Sequence, residues 1–161
     1  MTAEEFNKCV DLYSDRIYRF VLKSIQDDDL AKDIVQETFI KVWERRDQVV
    51  MLTAKSYLFT AAYRTMIDHI RKKKSTFNID QVFTDAPSVE QPASDLREIL
   101  EYAADRLPAI QKTVLMLRDY EGYKYEEIAS ITGLSLEQVK VYLFRARKFL
   151  KNYLVSMEVV L

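Results

Sequence analysis

Tyr125-Glu-Glu-Ile-Ala-Ser-Ile-Thr-Gly-Leu-Ser-Leu-Glu-Gln-Val-Lys-Val-Tyr-Leu-Phe-Arg-Ala-Arg147 is the stretch whose reading decides the fold. Ile128, Ala129 and Ile131 form the inner face of a short helix that stops at Gly133, the residue type that tolerates a left-handed turn. Ser135 then caps a second helix. At 3.6 residues per turn Leu136, Val139, Leu143, Ala146 and Leu150 make its buried stripe, while Glu137, Val141, Phe144, Arg145 and Lys148 point away. Helix, tight turn and capped second helix at this spacing are a helix-turn-helix. A merely solvated helix has no use for Val141 and Phe144 amid its charges. A helix in a DNA major groove does, because apolar groups meet thymine methyls and an arginine meets a guanine edge.

Working outward, the 161-residue chain has only two Gly and three Pro, and no useful strand alternation, which predicts an all-α fold. Helical periodicity runs from Thr2 to Lys74, fails from Ser75 to Ser94, and resumes to Met157. The interruption contains two Pro and many small polar residues, the composition of a linker. Two small helical domains joined by a flexible linker follow: residues 1–74, 75–94 and 95–161.

Lys and Arg total 24 against 25 Asp and Glu, but the charges are segregated. Arg64 and Arg71-Lys72-Lys73-Lys74 form one basic block, the segment from Lys140 to Lys151 carries only basic charges, and the stretch between Asp80 and Asp105 is acidic. Two basic surfaces suggest two contacts with one polyanion. Cys9 stands alone, so it forms no internal disulfide and reads as a small core residue. The N-terminus has no basic-then-apolar leader and no apolar run approaches a membrane span, from which a cytoplasmic location is expected. Glu37, Glu44 and Asp68 supply carboxylates, but His69 is the single histidine and no Gly-rich phosphate loop occurs. Neither an enzyme nor a metal or other cofactor is expected.

Two further stretches carry patterns beyond helicity. In Asp33-Ile-Val-Gln-Glu-Thr-Phe-Ile-Lys-Val-Trp43, the residues Val35, Thr38, Phe39 and Val42 suit a core, whereas Asp33, Gln36, Glu37, Ile40 and Glu44 share the opposite side. Ile40 within acids, with Trp43 at the edge, reads as a protein-binding surface. In Lys55-Ser-Tyr-Leu-Phe-Thr-Ala-Ala-Tyr-Arg-Thr-Met-Ile-Asp68, Tyr57, Phe59 and Tyr63 precede the run from Arg71. Aromatics beside cations can stack unpaired bases while holding phosphates.

These motifs, together with Leu107-Pro108, occur in an order that resembles the extracytoplasmic-function (ECF) group of bacterial sigma factors over almost the whole chain. The resemblance implies that residues 1–74 dock on the clamp helices of the largest polymerase subunit and capture the minus-10 promoter element. It further implies that the second domain reads the minus-35 element near the polymerase flap. Asp33, Gln36, Glu37, Ile40 and Trp43 are expected to bind polymerase. Tyr57, Phe59, Tyr63, Arg64, Arg71 and Lys72 are expected on minus-10 DNA, and Lys140, Val141, Phe144, Arg145, Arg147 and Lys148 on minus-35 DNA. The segment from Asp47 to Lys55 lies where the family holds a flipped base. Core RNA polymerase and promoter DNA are the implied partners, and family habit adds an anti-sigma factor. The chain departs from the pattern at Tyr57, where Trp is common, at Tyr63 and Arg64, where Arg-Asn is common, and at Tyr142, where a basic residue is frequent. A helix-turn-helix regulator acting without polymerase is the alternative.

Overall fold

The computed structural model describes residues 1–74 and 95–160, so the linker expected at 75–94 lies outside the described residues. All regular elements among them are helical, in agreement with the expected all-α class. Two compact units form, one on the N-terminal helices and one on the later helices.

The first unit contains α1 (Ala3–Ile25), α2 (Asp28–Glu44) and α3 (Ala54–Lys74), with short 3₁₀ turns at Arg46–Gln48 and Met51–Thr53 before α3. Capping chemistry sets the helix starts. The Glu5 amide donates to the Thr2 hydroxyl at 3.1 Å while the Thr2 amide donates to the Glu5 carboxylate at 3.0 Å, a reciprocal box. Asp27 accepts from the Leu30 amide at 3.1 Å and starts α2, after Gln26 has turned the chain in the left-handed region at φ 59°. Ile17, Phe20 and Val21 of α1, Ile34 and Val42 of α2, and Leu58, Phe59 and Met66 of α3 are buried. Burying each such side chain contributes about 1.5–3 kcal/mol, enough to hold the pairwise-packed helices together. Cys9 is buried as expected, its sulfur 3.6 Å from that of Met51.

The later helices are α4 (Leu96–Asp105), α5 (Ala109–Leu115), a π-helical turn at Met116–Tyr120, α6 (Tyr125–Thr132) and α7 (Leu136–Val160). Both α4 and α5 pack on α7. Gly133 adopts φ +78°, which gives the left-handed turn between α6 and α7 its backbone. Ser135 caps α7 reciprocally: the Gln138 amide donates to its hydroxyl at 3.1 Å and its own amide donates to the Gln138 side chain at 2.9 Å. Val139, Leu143 and Ala146 form the buried stripe. Leu136, expected there, is exposed. It lies in the first turn, about 50° round the helix from the stripe's centre. Leu150 is only half-buried.

Candidate polymerase and nucleic-acid interfaces

The outer face of α2 takes shape because Ala31, Ile34, Thr38 and Val42 turn into the core and leave the intervening positions outward. Asp33, Gln36 and Glu44 are exposed, and among them Ile40 is 58% exposed. Ile40 and Trp43, three residues apart on the helix, give this acidic face a small exposed apolar strip. Trp43, 37% exposed, stands at the edge and packs edge-on against Phe6 with ring centroids 4.9 Å apart. The Arg46 guanidinium lies 4.0 Å over the Trp43 ring and donates to its carbonyl at 2.9 Å. The indole is therefore held in one orientation while part of its surface stays open.

Glu37 has partners on two helices. Its Oε2 is 2.7 Å from His69 Nε2 of α3 and its Oε1 is 3.3 Å from Lys41 Nζ. Lys41 in turn donates to Thr65 Oγ1 at 3.1 Å. The His69 hydrogen bond, and after it Lys41, holds the Glu37 carboxyl below its ordinary range. Neither partner was identified from the sequence, where only the exposed acid was visible.

On α3 the expected residues separate. Tyr57 and Tyr63 are half-buried, and Arg64, Arg71 and Lys72 are exposed. Burial pushes the Tyr63 phenol upward. Phe59 corrects the expectation: it is fully buried, with its ring 5.4 Å from that of Phe20 in an edge arrangement. A ring sealed in that packing has no face for a base, so Phe59 is a core residue. The aromatic-beside-cation signal could not separate it from Tyr57, since burial alone distinguishes the two.

A groove of roughly 430 Å³ between α2 and α3 does gather several expected residues. Tyr57 and Arg64 line it with Lys41, Arg45, Thr60 and Thr65. Glu44 and Asp68 line it too, so three cations face two carboxylates there, and the Tyr57 ring supplies a flat wall on which a base can stack. Lys41 and Arg45 escaped the sequence reading because they sit on α2, outside the aromatic-basic run. In the preceding loop Val49 is buried and anchors the chain, whereas Leu52 is 94% exposed.

On α7 the outward residues are those expected. Lys140, Val141, Phe144, Arg145 and Lys148 are all exposed, Phe144 at 66%. Arg147 is exposed too, but its guanidinium is 2.8 Å from the carboxylate of Asp119 in the π-helical turn. That tie directs Arg147 toward the body of its own unit and away from the row led by Arg145.

The sequence family Sigma-70 region 2 matches residues 9–76, and Sigma-70 region 4 matches residues 97–150. The chain is 33% identical over 149 residues to the RNA polymerase sigma factor SigV of Bacillus subtilis (strain 168), covering 92% of this chain and 90% of that protein. It is 31% identical to the ECF RNA polymerase sigma factor SigM of the same organism, covering 94% of each. Among solved structures, the sigma factor RpoE in complex with the anti-sigma factor NepR from Bartonella quintana matches with TM-score 0.77 and 26% identity, over 94% of this chain and 98% of that one.

Proposed function

From the premise that the chain belongs to the ECF sigma factors, we propose how its two units divide the work of that family. It binds core RNA polymerase and directs promoter-specific transcription initiation. Residues 1–74 carry the polymerase face, on Asp33, Gln36, Glu37, Ile40 and Trp43 of α2, and the minus-10 surface, on Tyr57, Tyr63, Arg64, Arg71 and Lys72 of α3. Residues 95–161 carry the minus-35 reader. The observation that bears most of this reading is α7, whose Val139, Leu143 and Ala146 are buried while Val141, Phe144 and Arg145 stand outward in one row. A solvated surface explains the cations but not an open phenylalanine among them. DNA explains both, through thymine methyls for the apolar groups and guanine for Arg145.

The protein acts as a non-catalytic initiation factor. No helix among the described residues is long and apolar enough to cross a membrane; in this reading the chain works in the cytoplasm, beside polymerase and promoter DNA. The matched RpoE was solved with an anti-sigma factor, and a protein inhibitor of that kind is proposed for this chain as well. A regulator working without polymerase would have no need for the exposed Ile40 and Trp43 of α2.

Quantitative binding of promoter duplexes tests the reader. Arg145→Ala is expected to weaken binding by about 1–3 kcal/mol and to relax preference at one base pair, whereas Lys148→Ala weakens all sequences alike and lowers the salt slope by about one. Phosphate contacts position and base contacts specify. Identical effects of both substitutions on every base variant would remove the distinction. Arg147→Ala should give the smaller sequence effect of the two arginines, because its side chain is occupied by Asp119.

A further inference from the structure

We propose that His69 is a positioning residue for polymerase docking: it holds the Glu37 carboxylate in the orientation in which the α2 face meets its partner. The proposal rests on the assignment of that face to the polymerase made above. Glu37 and His69 are 32 residues apart in sequence and belong to different helices, yet their side chains meet at 2.7 Å. The second carboxylate oxygen faces Lys41 at 3.3 Å, and Lys41 is itself tethered to Thr65 of α3 at 3.1 Å. Both oxygens are thus fixed, one directly and one indirectly, to the helix that carries the minus-10 surface.

The arrangement does not consume the carboxylate. Glu37 keeps 42% of its side-chain surface exposed and His69 keeps 27%. A side-chain contact that open contributes little to folding, because solvent competes for it and ordering two side chains offsets the attraction. Its consequence lies in binding. A glutamate on a bare helix loses its rotamer freedom when a partner seizes it, whereas one already held gives up that freedom on folding. His69 also precedes Arg71 and Lys72 by two and three residues on α3, so the same bond joins the polymerase face to the helix offered to the promoter. The ring nitrogen that faces Glu37 must carry a hydrogen to donate, and a glutamine amide can replace that donor.

The test uses the full chain with purified core polymerase and four variants: Glu37→Ala, His69→Leu, His69→Gln and Glu37→Ala with His69→Leu. Calorimetric titration should show His69→Leu binding roughly three- to tenfold more weakly, the scale of ordering one side chain at an interface. His69→Gln should recover most of that loss, and His69→Leu should add nothing once Glu37 is gone. Thermal melting and binding to a minus-35 duplex should stay unchanged in all four, which a merely structural role for the pair would not allow. Normal binding by His69→Leu beside impaired Glu37→Ala, equal impairment by leucine and glutamine, or additive losses in the double variant would each overturn the proposal. Unchanged binding by Glu37→Ala would instead overturn the assignment of the α2 face, and the proposal with it.

Discussion

Glu37→Arg combined with Trp43→Ala is expected to abolish co-purification of the chain with core polymerase while its helical content stays intact. Truncating an aromatic anchor that a partner desolvates costs about 2 kcal/mol or more, a thirtyfold loss on its own. Reversing a charge that faces a complementary surface adds a like-charge penalty of several kcal/mol. The two sites share the outer side of α2 but have separate supports, His69 and Lys41 for the acid, Phe6 and Arg46 for the indole. Their losses should therefore combine. Binding to a minus-35 duplex serves as the control, since it depends on the other unit. Co-purification at the parent's level, with an unchanged circular dichroism spectrum, would mean that polymerase docks elsewhere.

Phe59→Ala and Tyr57→Ala, two residues apart on α3, are expected to fail in different ways. Phe59 fills the core against Phe20, and replacing such a ring by alanine costs about 3–5 kcal/mol. Against a domain stability of about 5–15 kcal/mol, that loss should lower the thermal transition of the first unit sharply. Tyr57 is half-buried on the wall of the groove, and its removal should leave melting nearly as it was. The effect of Tyr57→Ala should appear in permanganate footprinting with reconstituted holoenzyme, as reduced thymine reactivity in the minus-10 region. One stacked base is worth about 1–3 kcal/mol, comparable with the few kcal/mol needed to extrude it. Unchanged reactivity in Tyr57→Ala would remove Tyr57 from strand separation. A Phe59→Ala chain that melts like its parent would return that ring to the surface.

The contrast between these tyrosine and phenylalanine positions shows where sequence reading stopped. Local chemistry was legible: the left-handed Gly133, the Ser135 cap and the outward row on α7 follow from spacing and residue type, and each appears in the fold. The exposed side of α2 was legible for the same reason, since two residues, a little over half a helical turn, put Ile40 and Val42 on opposite sides. Burial of neighbours was not. On α3, Leu58 and Phe59 are both sealed while Tyr57 beside them is half-open, because α1 covers that flank, and no periodicity distinguishes a core aromatic from a stacking one. On α2 the helical period assigns Val35 to the core, whereas its neighbour Ile34 is fully buried and Val35 only half-buried. Long-range pairs were the least accessible. Glu37 with His69, and Arg147 with Asp119, join residues 32 and 28 positions apart through tertiary packing alone.

Transcription from a pool of genomic fragments by purified core polymerase, with and without the chain, separates a sigma factor from a DNA-binding regulator that works alone. Transcripts should appear that depend on the chain, whose start sites share a minus-35 and a minus-10 element, and they should disappear with Glu37→Arg and Trp43→Ala. Binding of the chain to DNA without any chain-dependent transcript would contradict the sigma-factor role, and would identify the helix-turn-helix as that of a regulator working apart from polymerase.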